Sequence, residues 1–196
     1  LERLAHRDEN LKDAALAIVA KRKKPQGRYL RGLFSGGTFC AEAQVVLDGI
    51  LRHVYSNAPL GVTQKLKSAW KPEKNAVIDL GEDEFTVGRA HPMIDFTLRN
   101  KMILEEAANP ETAVILLDVV LGYGAHLDPA AELVPVIKQA VRKVVVVAGV
   151  TGTAGDPQGR ERVVAALQDA GAHVQLTNAA ACKLAGFIAA EVVRKN

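Results

Sequence analysis

Aromatic side chains are scarce in this sequence, 5% of 196 residues with Trp70 the single tryptophan. The core must therefore be built from Val, Leu, Ile and Ala, a composition that suits strands buried on both faces of a parallel sheet. Cysteine is scarcer still. Cys40 and Cys182 stand far apart, without Cys-x-x-Cys or Cys/His ligand spacing, which argues against a disulfide framework or a zinc site and for a reducing, cytoplasmic compartment. No apolar run approaches the roughly 20 residues that cross a bilayer, and no signal-peptide pattern opens the chain, so no membrane segment is expected. Charge is nearly balanced, at +3. The one dense basic run, Lys21-Arg22-Lys23-Lys24, has no interleaved aromatics and reads as a solvated linker rather than a nucleic-acid surface. The chain also has no GxxxxGK[ST] loop, no GxGxxG fingerprint and no GxSxG elbow, which removes the usual nucleotide, dinucleotide and serine-hydrolase readings.

What is present is a regular β/α alternation. Strands are expected at 28–34, 76–80, 113–121, 144–150 and 173–176, and helices at 38–53, 92–108, 129–143, 158–170 and 179–194. The run AVILLDVVL (113–121) is nearly all apolar, as a buried central strand should be. Five such units predict an α/β fold: a flavodoxin-like open parallel sheet of about five strands, order 2-1-3-4-5, with helices on both faces. Residues 54–74 read as an irregular connection. A helix over 8–21, capped by Asp8, and the basic stretch after it read as the tail and linker of an upstream domain (1–27), which leaves 28–196 as the main domain.

Ligands of open α/β sheets bind beyond the carboxyl ends of the strands, where strand order reverses. The loops expected there are Ser35-Gly36-Gly37-Thr38 and Gly122 to His126. In both, small residues let backbone N–H groups approach an anion, and the first leads directly into a helix N-terminus. Gly122, Gly124, Gly152 and Thr153 extend the candidate phosphate cradle. The same turns would serve as tight strand-to-helix connections with no ligand at all. The loop after the second strand carries Arg89, His91 and Asp95; Arg89 is a candidate anion clamp and His91 a candidate proton carrier. No metal site is expected. Cys40, at the start of the first connecting helix, reads as a buried, inert thiol.

The segments GLFSGGTFCAEA (32–43), VIDLGEDEFTVGRAHPMIDFTLRN (77–100), VILLDVVLGYGAHLDPA (114–130) and VTGTAGDPQ (150–158) resemble, in order and spacing, motifs of the FdrA family, and the resemblance runs from about 28 to 194. FdrA proteins are in turn similar to succinyl-CoA synthetase, so the resemblance implies a CoA-ligase-type domain and acyl-CoA or acyl-phosphate chemistry, usually driven by nucleotide through a phosphorylated histidine. That histidine is absent from the loop SGGTFCAEA, and His126 does not replace it by position. The arrangement is closer to the ligase domain that receives the phosphate from its partner. The resemblance also implies an upstream CoA-binding-like domain or a partner ligase subunit in an oligomer. CoA or a nucleotide would reach the reaction through that missing region, with none held by this chain. Two alternatives stay open: a component of an oxamate carbamoyltransferase in allantoin breakdown, and a non-catalytic subunit-interaction module. A flavin carrier is disfavoured, because the loops lack its Ser/Thr-rich phosphate run.

Overall fold

In the computed structural model, which describes residues 2–22 and 27–195, the apolar run read as a central strand is β5 (Thr112–Val120), buried along all but its last residue. It pairs in parallel with β1 (Tyr29–Phe34) on one side and β6 (Val145–Thr151) on the other. β4 (Asn75–Asp79) lies outside β1, and β7 (His173–Gln175) outside β6. These five strands keep the expected 2-1-3-4-5 order.

The sheet is wider than expected. The stretch read as irregular contributes β2 (Val54–Ser56) and β3 (Gln64–Lys65), both parallel, which extend the sheet beyond β4 to the order β3-β2-β4-β1-β5-β6-β7. Their signal in the sequence is weak because β2 has three residues and β3 two. The two-residue strand at the rim, exposed and carrying Lys65, is a poor template for further pairing.

Alternation along the strands builds two cores. Leu30, Phe34, Val114 and Leu116 face α1 (Glu2–Ala20), α2 (Gly37–Asp48) and α7 (Asn178–Lys195). Leu33, Ile115, Leu117 and Val119 face α4 (Thr97–Ala108), α5 (Pro129–Ala140) and α6 (Arg160–Asp169). A short α3 (Asp83–Thr86) follows β4. At the start of α5, Pro129 occupies the first turn and Asp128 Oδ1 accepts the Ala131 N–H at 3.2 Å.

Three boundaries move for local reasons. α2 stops at Asp48, because Gly49 ends it and His53 turns at φ +58° toward β2. α4 begins at Thr97 rather than Pro92: the Ile94 and Asp95 N–H groups donate to His91 O in a turn of their own, and Asp95 Oδ1 accepts the Thr97 N–H at 2.8 Å. α1 begins well before Asp8, which caps nothing and pairs with Lys183 of α7 at 2.7 Å. The helix assigned to an upstream domain packs here against this one, with Ala15 and Val19 buried in the α2/α7 core. At its end the Arg22 guanidinium donates to Val141 O, Lys143 O and Val144 O at 2.7–2.9 Å. The linker residues 23–26 lie outside the described residues. Among the described residues, no helix is long and apolar enough to cross a membrane.

Candidate functional site

The turn after β1 was expected to offer its N–H groups to an external anion. Half of it is already occupied by an internal one. Asp118 stands on β5 in the alternation that faces α2, and its carboxylate accepts the Ser35 N–H at 2.8 Å, the Ser35 hydroxyl at 3.0 Å and the Gly36 N–H at 2.8 Å. Ser35 therefore does not cap α2, whose N-cap, Gly36, has no side-chain bond. Arg99 of α4 enters from the opposite face, past the last β1–β5 pair at Leu33 and Leu117. Its Nη2 donates to Asp118 Oδ1 at 2.7 Å, to Leu33 O at 2.9 Å and to Asp118 O. Both side chains are essentially inaccessible to solvent. The point where strand order reverses is thus closed by a buried ion pair rather than open as a crevice.

The other expected cradles are filled by the same device. The Gly122 N–H donates to Gln158 Oε1 at 3.0 Å, and Gln158 Nε2 returns bonds to Gly122 O and His126 O. The Thr153 N–H donates to Asp156 Oδ2. Gly152 answers to packing, since a Cβ there would stand 2.7 Å from Leu121 Cβ and 2.8 Å from Asp156 Oδ2. Gly124 faces open space. Nor do the two glycine loops flank one empty cleft. Met93 stands between them, its carbonyl accepting the His126 N–H at 2.8 Å and its Cε 3.6 Å from a Cβ on Gly36.

What remains is the first turn of α2. The Gly37 and Thr38 N–H groups have no acceptor among the described residues, as the leading amides of a helix require. Asp79, at the carboxyl end of β4, is their neighbour: a Cβ on Gly37 would lie 2.8 Å from its Oδ2. Asp79 Oδ1 accepts the Gly81 N–H at 2.8 Å. A Cβ on Gly81 would stand 3.0 Å from Asp79 Oδ1 and 3.1 Å from His91 Nε2, so the carboxyl and the imidazole converge over one glycine. His91 Nδ1 accepts the Met93 N–H at 3.2 Å, which leaves the neutral ring's proton on Nε2, the nitrogen that faces Gly81. Burial pushes the Asp79 carboxyl above its ordinary range, and the charges of Glu82 and Asp118 push the same way; the Gly81 N–H and His91 pull against them.

Arg89 and His91 do not act on one point. Arg89 lies over the Trp70 ring at 5.6 Å, in a cavity to which His91 does not contribute. Cys40 and Cys182 are buried free thiols, and burial pushes both well above the usual thiol range, with the charge of Asp79 adding to the effect at Cys40. Beside the first turns of α2, Phe39, Glu42, Thr153, Arg160 and Asn178 help to line an open cavity of about 520 Å³. Asn178 Nδ2 ties the Phe39 carbonyl at 3.1 Å to Glu42 Oε2 at 2.7 Å. Sequence reasoning missed Asp79, Asp118, Gln158 and Asn178. The two aspartates had a legible signal: each is an acid near the carboxyl end of an otherwise apolar strand.

The model of the CoA-ligase family matches residues 33–188. The chain is also similar to an uncharacterized protein of Escherichia coli strain K12, YahF, at 39% identity over 168 residues. That alignment takes in 82% of this chain and 33% of YahF, so the chain spans about a third of the length of its relative.

Two outcomes follow from the geometry. Asp118→Ala would strand the Arg99 charge and two loop N–H groups, and it should cost about 3–5 kcal/mol in urea denaturation. A second replacement, Arg99→Met, should recover part of the loss, because it removes the unpaired cation. Asp79→Asn should act in the opposite direction. The folded carboxyl keeps its proton to higher pH than the unfolded one, so the native state binds more protons between the two values. Stability from that difference is present at low pH and lost as pH rises through the folded value. The Asn variant, which does not titrate, should melt above the parent at pH 7 and match it below about pH 4; an unchanged gap across a pH series would contradict the assignment.

Proposed function

The chain belongs to the CoA-ligase family, and from that premise we propose that it is the phosphate-receiving ligase domain of an acyl-CoA synthetase-related protein of FdrA type. It works with an upstream CoA-binding-like region or a partner subunit, in the cytoplasm, on an acyl phosphate or carbamoyl phosphate. CoA or a nucleotide reaches the reaction through that other part. The observation that carries this reading is the start of α2, where Gly37 and Thr38 present unpaired N–H groups beside Asp79 and His91.

The chemistry available there is limited and specific. The helix terminus stabilises negative charge on a phosphoryl group. An ionised Asp79 repels that group; burial raises its proton affinity, and in its protonated form the carboxyl donates to a phosphate oxygen instead. His91 can donate from Nε2 on the same side. Cys40 offers no nucleophile there, since it is buried with its thiol pushed up. The open cavity beside the first turns of α2 has room for the acyl or carbamoyl portion.

A partner is supported by the rim. Val87, Ile94, Tyr123, Leu127 and Leu176 are large apolar side chains, each more than half exposed. All lie on loops that leave the carboxyl ends of β4, β5 and β7, around the site. Apolar residues gathered at one edge of a sheet are characteristic of a surface that another domain covers.

Binding can be followed by calorimetry with inorganic phosphate and acetyl phosphate. Affinity should rise as pH falls into the range where Asp79 takes up its proton, because that proton removes a repelling charge. Asp79→Asn should bind more tightly at pH 8 and lose the part of the pH dependence that comes from Asp79, leaving only that of the phosphate itself. Gly37→Ala, which forces a methyl toward Asp79 Oδ2, should weaken binding about tenfold or more. A ratio of parent to Asn-variant affinity that stays constant with pH would refute the role of Asp79.

The isolated chain should show no turnover of acetyl phosphate or carbamoyl phosphate, with or without CoA and nucleotide. Transfer requires both reacting groups to be held roughly 3 Å apart, and this surface supplies only the receiving half. Robust ligase or carbamoyltransferase activity from residues 1–196 would overturn the reading. Activity that appears only on adding the upstream region would support it.

A further inference from the structure

We propose that the cavity between the 66–71 segment, α3 and the start of α4 is a second binding site, for a planar aromatic ring that carries a negative charge. It has a volume of about 360 Å³ and is walled by Trp70, Leu80, Phe85, Pro92 and Leu98, with Arg89 and Lys101 at its edge. The size falls in the range of small-molecule sites, and so does the composition, a mostly apolar wall with a few placed charges.

Trp70 is the key observation. The only tryptophan in the chain leans on Phe85, ring centroids 4.8 Å apart and planes at 56°, yet it remains 44% exposed. A large ring fixed by a neighbour and left open to solvent is a prepared stacking surface. Arg89 lies over it at 5.6 Å and has no carboxylate partner among the described residues. An exposed guanidinium parked on a ring gains little there compared with a bidentate anion contact. Of the acids, Asp95 also lines the cavity and accepts the Thr97 N–H, and Glu105 stands 3.7 Å from Lys101. An incoming anion thus finds one uncommitted cation, Arg89, and a second, Lys101, held only by an exposed contact. The backbone turn at 91–95 sends His91 toward Asp79 and leaves Arg89 on this side, so the cavity is separate from the α2 terminus.

Because Trp70 is the sole tryptophan, its emission reports on this site directly. The chain would be titrated with benzoate, AMP, adenosine and inorganic phosphate, with excitation where tyrosine does not absorb. The expected result is saturable quenching by benzoate, by AMP or by both, at affinities about tenfold or more above those of adenosine and phosphate. Which of the two saturates tells a carboxylate from a phosphate. Arg89→Gln should erase that preference while leaving the weak adenosine response in place, and Arg89→Lys should retain part of it. Benzoate and AMP both binding no more tightly than adenosine or phosphate, full affinity in Arg89→Gln, or no saturation by any probe below about 10 mM would each overturn the proposal.

Discussion

The buried pair between Asp118 and Arg99 is the constraint on which the site depends. It joins the two faces of the sheet: Asp118 belongs to the strand that faces α2, and Arg99 comes from α4 on the other side. Their contact also fixes the turn after β1, because the same carboxylate that holds the guanidinium holds the Ser35 and Gly36 N–H groups. Two charges withdrawn from water are costly unless every lone pair finds a donor. Asp118 meets that requirement with three donors from the turn and one from Arg99, whose own Nε and Nη1 are buried without a hydrogen-bond partner. The axis and starting point of α2 follow, and with them the position of the Gly37 and Thr38 amides relative to Asp79.

The strand order was legible because it rests on long, repetitive signals. The apolar run of β5, the alternation of strand and helix, and the rule on ligand location together placed five strands in their observed order. The two extra strands were not legible: three residues at Val54–Ser56 and two at Gln64–Lys65 carry no periodicity. The site was legible only in outline. Glycine loops at strand ends were read as anion cradles, and they are cradles, but the anion can be internal. Asp118, Asp156 and the amide of Gln158 fill three of them. Sequence cannot distinguish an external phosphate from a carboxylate folded in from 83 residues away, since both require the same small residues and the same free N–H groups.

Asp79 illustrates a different limit. It was passed over inside a short apolar strand read as 76–80, AVIDL, yet its carboxyl is the one held away from its ordinary proton affinity beside the unfilled helix terminus. Burying a carboxyl without a full set of partners destabilises the native state. The counterexample sits one strand away on β1, where Arg31 meets Glu106 at 3.1 Å and Glu106 accepts the Thr112 hydroxyl at 2.6 Å. There a buried acid is compensated by a cation and a hydroxyl. Asp79 has a single N–H donor, that of Gly81, with His91 beside it, and is the less compensated of the two buried acids.

The division of the anion cradles into filled and unfilled ones bears on how such a domain can serve in a transfer reaction. A terminus already satisfied by an internal carboxylate is rigid, and it pays no desolvation when the substrate arrives. An unsatisfied one must exchange water for phosphate at each cycle and needs rigid surroundings to do so productively. Here the two kinds are adjacent in sequence: Ser35 and Gly36 are locked, while Gly37 and Thr38 are open. A single carboxylate, Asp118, converts the first half of a four-residue turn into a support for the second. In the proposed function the receiving surface is then preorganised by groups that never touch the substrate. On the function proposed above, the reacting partner need supply only the phosphoryl group and the geometry of approach, and the exposed apolar rim at this edge of the sheet is the surface offered to it.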